Sequence, residues 1–538
     1  MTAPAVLDYY TADEVRAAEA ELFTRVPAGM PMRRAAFGLA QVVARELRER
    51  TGGVAGRAVT LLVGSGDNGG DALWAGSFLR RRGVAVRAIL LVPERAHAEG
   101  LAALRGAGGD IAAAPATVRE LREGSVDDVG EGAVDEAVRR RGPEADAAAT
   151  TLRRLGLRPG VPAAPRRVAA LLGTPDLVVD GIVGISGRGS LRPVAAGLVA
   201  GVRCPIIAAD LPSGVDPDTG SVNGPAVRAD VTVAFGALKP VHALAAPSCG
   251  RIVLVPIGLR LPDANMIALE PRTVGAVWPV PGPADDKYTQ GVTGVCAGSA
   301  TYPGAAVLCA GGAIAATSGM VRYAGTGAER VLTHFPEVIA AESISATGRV
   351  QSWVFGPGGG TDSAARDRLA EILATDLPVV VDADGLTLLA ADPDLITGRT
   401  APTVLTPHAG EFARLTGSEP GPDRVAAVRK LAESWHVTVL LKGRATLVAS
   451  PGRPVLVSEA GGSWAATAGS GDVLSGIIGA LLACGLHPAV AAASAARAHA
   501  LAANLAAHSA TTAGAPISAS PLLSHVREAI GTLRELAL

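Results

Sequence analysis

The strongest constraint on this chain is a juncture repeated along it: a short, almost wholly apolar run that stops at a loop of glycine and aspartate. Ala58-Val-Thr-Leu-Leu-Val63 runs straight into Gly64-Ser65-Gly66-Asp67-Asn68-Gly69-Gly70-Asp71. A run that is apolar throughout, rather than at alternate positions, has both faces covered, as strands do inside a parallel sheet. Similar runs lie at 84–92, 177–179, 206–209 and 231–234, and again at 294–297, 352–355, 379–381, 403–405, 437–441 and 454–457. Helical stretches separate them. The first opens with the capping-box spacing Thr11-Ala12-Asp13-Glu14, and a second is expected over 32–50, ending at Gly52-Gly53 where glycine tolerates the left-handed turn.

Strand and helix in alternation predict doubly wound α/β domains. At 538 residues the chain is too long for a single core, so it divides. The proline-bearing stretch from Leu261 to Asp286 is the natural boundary, with the cut placed near Pro271 to give domains 1–270 and 271–538. Residues 100–167 carry no apolar run and are read as helices and loops, with an exposed insertion at 124–165. The alanine-rich stretch 477–507 is read as buried helix, because His487, Pro488, Arg497 and His499 interrupt any membrane span.

Charge and cysteine usage exclude several classes of function. Lysine plus arginine (49) nearly balance aspartate plus glutamate (50), so the footprint of a protein that grips nucleic acid or an anionic membrane is missing. Small molecules are the expected partners; a homo-oligomer is left open. Cys204, Cys249, Cys296, Cys309 and Cys484 form no C-x-x-C pair or zinc-type set, and the N-terminus does not read as a secretory signal, so a cytoplasmic setting is expected.

Gly64, Gly66 and Gly69 formally match the dinucleotide turn G-x-G-x-x-G, but two carboxylates and an amide beside a pyrophosphate would repel it unless a cation intervened. Three more loops follow strand ends: Asp180-Gly181-Ile182-Val183-Gly184 continuing to Ser190, Asp210-Leu211-Pro212-Ser213-Gly214, and Phe235-Gly236-Ala237-Leu238-Lys239-Pro240. In a doubly wound sheet such loops surround one crevice. Together they resemble the NAD(P)H-hydrate epimerase family, with its motifs G-x-G-N-N-G-G-D-G, V-D-G-hydrophobic-x-G and D-hydrophobic-P-S-G, over about residues 8 to 260. The resemblance implies a Rossmann-like fold and a potassium ion held by Asn68, Asp180 and Ser213. It also implies a hydrate site formed by Asp67, Asn68, Gly69, Gly70 and Asp71 with Gly184, Ile185, Ser186, Gly187, Arg188, Gly189 and Ser190. Asp210 is then the acid–base group beside the reacting ring, and Lys239 either its electrostatic helper or a structural residue. Asp67 and Ala72 stand where the family has asparagine and glycine.

Near the other end, Thr467-Ala468-Gly469-Ser470-Gly471-Asp472 precedes a helix of small residues. This turn looks like the anion hole of ribokinase-type enzymes, in which helix N–H groups reach a phosphate and the aspartate takes a proton from a hydroxyl. With the loops at Gly298–Ala305, Phe355–Gly358, Asp382–Asp384, Thr406–Glu411 and Lys442–Thr446, it resembles the NAD(P)H-hydrate dehydratase family over about residues 285 to 535. That resemblance implies a ribokinase-like α/β domain in which Lys442, Gly443, Arg444, Ala445, Thr446 and Gly471 bind ADP, with AMP as product. Ala305, Gly358, His408 and Asp472 would bind the hydrate, and Asp472 would act as the catalytic base. Asp382 and Asp384 either hold Mg2+ or cap the next helix. The expected function is repair of hydrated NADH and NADPH: epimerisation of the R and S hydrates, then ADP-dependent dehydration of the S form. The alternative is a vitamin or sugar kinase fused to a non-catalytic binding module.

Overall fold

The computed structural model describes residues 6–123, 166–317 and 319–538, so the expected insertion at 124–165 lies outside the described residues. The chain forms two units, Tyr10–Asp263 and Ala264–Leu538, and the second also takes up the N-terminal strand β1 (Val6–Tyr9).

In the first unit, strands β2 (Ala58–Val63), β3 (Ala85–Leu90), β4 (Asp110–Ala113), β5 (Leu177–Gly181), β6 (Ile206–Ala209), β7 (Val231–Phe235) and β8 (Arg251–Val255) form one parallel sheet in the order β4-β3-β2-β5-β6-β7-β8. From β2 the chain builds outward to β3 and β4, then returns to place β5 on the other side of β2. The switch point therefore lies between the carboxyl ends of β2 and β5, where a crevice opens. The apolar runs are explained by burial on both faces: Leu61 and Val63 pack with Leu39 and Val43, while Leu62 joins Val178 and Leu198 on the opposite face. The predicted capping box is present, with Thr11 Oγ1 accepting from Glu14 N–H and Glu14 Oε2 accepting from Thr11 N–H, and it starts the helix Ala12–Arg25.

Strand β4 corrects the reading of 100–167 as helices and loops. It is a short, partly exposed edge strand held by pairing with β3 and by an Arg87–Asp110 ion pair of 2.6 Å, so no hydrophobic run announces it.

The second unit adds β9 (Met266–Leu269), β10 (Val292–Cys296), β11 (Met320–Tyr323), β12 (Ile339–Ala340), β13 (Ser352–Phe355), β14 (Val379–Val381), β15 (Thr403–Leu405), β16 (Thr438–Leu441), β17 (Ala445–Ala449) and β18 (Val455–Glu459). Its sheet runs β1-β9-β18-β17-β16-β15-β14-β13-β10-β11-β12. The segment from β16 to β12 is parallel, and β17 and β18 turn antiparallel. The division between units falls at Asp263 and Ala264, ahead of Pro271, because β9 pairs with β18 and with β1 and so belongs to this sheet. Those partners lie far away in sequence, Met266 pairing with Tyr9 on one side and Val455 on the other, and leave no local mark in a four-residue strand.

Helices Pro303–Ala316 and Ser470–Ala483 cross at glycines. A Cβ on Gly476 would stand 2.0 Å from the Cys309 carbonyl oxygen, and one on Gly312 2.3 Å from that of Val473. The alanine-rich stretch forms the helix Pro488–His508, and among the described residues no helix is long and apolar enough to cross a membrane. All five cysteines are free thiols.

Because the Gly476 contact is backbone against backbone, G476A should cost about 1–3 kcal/mol of overpacking and lower the melting temperature of the second unit by several degrees. G531A, whose new methyl meets nothing within 4 Å, should be neutral or stabilise by up to about 1 kcal/mol. Thermal melts of the two variants check the pair.

Candidate functional site

At the switch point of the first unit, glycine makes the loop packing possible. A Cβ on Gly64 would lie 1.9 Å from the Ile182 carbonyl oxygen, one on Gly69 2.3 Å from the Gly64 carbonyl oxygen, and one on Gly184 3.0 Å from Asn68 Oδ1. Asp67 opens the helix Asp67–Arg80 and is exposed, whereas Asn68, Gly69, Gly70 and Asp71 are buried. Asn68 Nδ2 donates to the Ala209 carbonyl at 2.7 Å, which ties the β2 loop to the end of β6. Asp180, at the end of β5, is fully buried; its carboxylate accepts from Ser213 N–H (2.9 Å), Ser213 Oγ–H (2.7 Å) and Ile182 N–H (3.2 Å). Asp180 and Ser213 thus meet, and Asn68 Oδ1 stands beside Gly184 on the loop that follows β5. Along the 184–190 loop, Ile185 packs beside Leu211 and Val215, Gly187 N–H closes a turn onto the Gly184 carbonyl, and Ser190 lies against Gly224. Asp13 is held below the usual carboxylate range first by Arg16 and only lastly by the charge of Arg188. Ser186 and Gly189 are exposed.

Asp210 follows β6 with φ at +66°, a left-handed conformation rare outside glycine. Oδ1 of its carboxylate accepts from Lys239 Nζ at 2.5 Å and from Phe235 N–H at 3.0 Å. Lys239 is itself buried and also donates to the Phe235 carbonyl at 2.9 Å. His242 completes the knot: its Nδ1 accepts from Lys239 N–H at 2.9 Å, and its Nε2 lies 2.9 Å from the Asp210 carbonyl oxygen. Burial, and then the Lys239 charge, push the His242 ring down to about 4. Asp71 is held well above the usual carboxylate range, first by burial and then by the charges of Asp210, Asp67 and Glu19. Its Oδ1 is buried with no hydrogen-bond partner among the described residues.

In the second unit, Lys442 follows β16 and places Nζ 2.5 Å from Asp382 Oδ1 at the end of β14. Ser475 Oγ–H donates to Asp382 Oδ2 at 2.7 Å, so both oxygens of Asp382 are engaged. A Cβ on Gly471 would lie 3.2 Å from Lys442 Nζ, which puts the expected lysine at the mouth of the helix Ser470–Ala483. Burial opposes the Lys442 charge, but the carboxylates of Asp382 and Glu411 outweigh it and raise its pKa. Asp472 is pushed up to about 7, first by burial and then by the Asp382 carboxylate.

Lys442, Gly443, Arg444, Thr446, Gly471 and His408 line one cavity of about 550 Å³, which His499 also borders. Ala445 does not line it; it is buried as the first residue of β17. Ala305, Gly358 and Asp472 are also outside that lining. Gly358 nonetheless sits against Ala305, since a Cβ on it would be 2.9 Å from the alanine's. His408 caps the helix Ala409–Thr416, its Nδ1 accepting from Gly410 and Glu411 N–H while Glu411 Oε2 accepts from His408 N–H. It therefore has a structural task while bordering the cavity. Asp384 Oδ2 accepts from Gly360 N–H, a loop contact.

A family model for NAD(P)H-hydrate dehydratase matches residues 293–524, and one described as YjeF-related protein N-terminus matches residues 29–241. The bifunctional NAD(P)H-hydrate repair enzyme of Mycobacterium leprae is 55% identical over 528 residues, 98% of this chain and 99% of its own length. The enzyme of the same description from Mycobacterium tuberculosis is 56% identical over 488 residues, 90% of this chain and 91% of its own. The chain belongs to the bifunctional NAD(P)H-hydrate repair enzymes. Among solved structures, the ADP/ATP-dependent NAD(P)H-hydrate dehydratase of Bacillus subtilis aligns over 49% of this chain and 98% of its own at 24% identity, with a TM-score of 0.43.

The sequence motifs did not single out Glu19, His242, His499 or Ser475. Glu19 lies on the helix Ala12–Arg25, and burial followed by the Asp210 charge raises its pKa. His499 Nε2 is 2.9 Å from the Ser470 carbonyl, and burial lowers the ring to about 4. A signal for His242 was present: a polar residue two positions after a proline that opens a helix can cap backward to the residue before the proline. Nothing local marks Ser475, which is one small residue in a helix of them.

The buried Asp210–Lys239 pair has a measurable consequence. Removing one partner strands the other charge, so D210N and K239M should each lose about 3–5 kcal/mol of stability, and the double variant less than their sum. Denaturant unfolding of the four proteins checks this cycle, and it supplies the folding control that any activity measurement on D210N requires.

Proposed function

We propose that the first unit interconverts the R and S hydrates of NADH and NADPH, and that the second uses ADP to return the S hydrate to the reduced cofactor, releasing AMP and phosphate. The observation that carries this reading is that loops far apart in sequence meet at the strand ends of both sheets. In one unit Ser213 bonds Asp180 while Asn68 ties the β2 loop to the end of β6, and in the other Lys442 meets Asp382 beside Gly471.

Asp210 is the acid–base group of the epimerisation, which passes through opening and closing of the hydrated ring with transfer of a proton. Lys239 and Phe235 N–H hold one carboxylate oxygen, so Oδ2 is the one left to exchange that proton. The 67–71 and 184–190 loops bind the hydrate. Among the described residues no basic side chain pairs with Asp180, and burial pushes its carboxyl up to about 6. An amide, a hydroxyl and a carboxylate fit a large monovalent cation, and K+ bound there would supply the missing positive charge.

In the second unit, Lys442, Gly443, Arg444, Thr446 and Gly471 bind the phosphates and adjoining parts of ADP, and Ala305, Gly358, His408 and Asp472 face the hydrate. Asp472 takes the proton of the hydrate's hydroxyl as its oxygen attacks the β-phosphate and AMP departs. The new phosphate ester then eliminates: the C–O bond breaks, a neighbouring carbon gives its proton to the departing phosphate, and the dihydropyridine and inorganic phosphate leave. Lys442 and the helix N–H groups at Gly471 stabilise the transferring phosphoryl group. Asp382 is fully engaged and no trio of His, Cys, Asp or Glu among the described residues is disposed to hold a metal, which fits Mg2+ arriving on the nucleotide rather than in a preformed cage.

Purified protein given hydrated NADH and ADP should regenerate the dihydropyridine absorbance, and no recovery on addition of ADP would refute the reading. K442A should lower that rate roughly 100- to 1,000-fold. Asp472 must be ionised to accept a proton, so kcat/KM should fall about tenfold per pH unit below about 7 and level off above it; D472N should lack that dependence.

A further inference from the structure

Among the groups near the first site, His242 stands out because it touches Asp210 through the backbone rather than the side chain. Asp210 is one of three non-glycine residues with positive φ among those described, and a residue in that region returns to extended backbone unless its surroundings hold it. Here the hold is specific. Lys239 N–H donates to His242 Nδ1, so that nitrogen carries no proton; the ring proton is on Nε2 and points at the Asp210 carbonyl oxygen 2.9 Å away. The ring is buried, and the cation beside it, Lys239, opposes its protonation. Asp210 N–H in turn donates to the Val233 carbonyl at 2.8 Å. The peptide of Asp210 is thus fixed on both sides, and Oδ1 is anchored separately to Lys239 and Phe235.

We propose that His242 is a positioning residue for the epimerisation: the Nε2–H bond to the Asp210 carbonyl holds Asp210 in the left-handed conformation that aims its free carboxylate oxygen at the hydrate. The proposal rests on the epimerase reading of this unit. His242 touches neither the hydrate nor the Asp210 carboxylate; it acts on where that carboxylate stands, and a misplacement of about 1 Å is enough to cost a hundred-fold in rate.

Two substitutions separate the two hydrogen bonds of the ring. H242N keeps an oxygen that can accept from Lys239 N–H but has no donor in reach of the Asp210 carbonyl, whereas H242Q carries an amide N–H near the place of Nε2. R–S exchange of hydrated NADH is followed by chiral chromatography with the full chain and no ADP. H242N should lower kcat roughly ten- to a hundred-fold with KM changed less than about twofold, and H242Q should recover most of the loss. Dehydration of S-hydrate with ADP should stay unchanged in both, as the control for an intact second unit.

A wild-type rate in H242N, a loss confined to KM, or H242Q no better than H242N would each overturn the proposal. Wild-type protein that fails to exchange R and S would instead sink the epimerase reading on which it rests. A readout independent of activity is the nitrogen–proton NMR correlation of His242, which should report a neutral ring protonated on Nε2 from about pH 5 to 8. An imidazolium or an Nδ1–H ring in that range would also refute the assignment.

Discussion

Parallel strands present their carboxyl ends at the same edge of their sheet, and this constraint assembles both sites. In the first unit the loops after β2, β5, β6 and β7 begin at residues 64, 182, 210 and 236 and gather at one edge, where the strand order reverses between β2 and β5. Close approach at that edge depends on missing side chains. Gly64 lies so near the Ile182 carbonyl that any Cβ would collide with it, and the same holds for Gly69 against Gly64. In the second unit the loops after β14 and β16 gather in the same way around the mouth of the helix Ser470–Ala483.

Once the loops are gathered, each buried charge has to be accommodated, and the molecule does this in different ways. Asp210 and Asp382 each receive a lysine, Lys239 and Lys442, at 2.5 Å. Asp71, which forms no ion pair among the described residues, is pushed toward its neutral form by burial and by neighbouring carboxylates, against the Lys239 charge. Asp180 has hydrogen bonds but no basic partner among the described residues. These are the positions at which the proposed chemistry needs either a fixed anion, a proton in reserve or an added cation. Most of the buried charge thus lies in the two proposed sites, with Glu46, paired to Arg50 and Arg251, an exception outside them.

What was legible in the amino-acid sequence was local in origin. The fully buried strands at 58–63, 206–209, 352–355, 379–381 and 403–405 are found with those bounds, because an apolar run flanked by glycine and aspartate needs no distant partner to be recognised. The capping box at Thr11 and Glu14 was legible for the same reason, as it closes within one turn. The glycine loops could be read because their residue types are required by backbone geometry. Strands β1, β4, β8, β9, β11, β12 and β17 were missed; each lies at or next to a sheet edge or in a hairpin, where stability comes from pairing rather than from composition.

The sequence alone thus determined the class of fold and the glycine-bearing loops that stand at the strand ends. Tertiary structure decided which side chains meet: that β1 and β9 complete the second sheet, that Ser475 and Lys442 occupy both oxygens of Asp382, and that His242 grips the Asp210 backbone. The physical reason is range. Strand and turn preferences are set by neighbours in sequence, whereas a buried hydrogen bond between residues 32 or 93 positions apart exists only after the chain has packed.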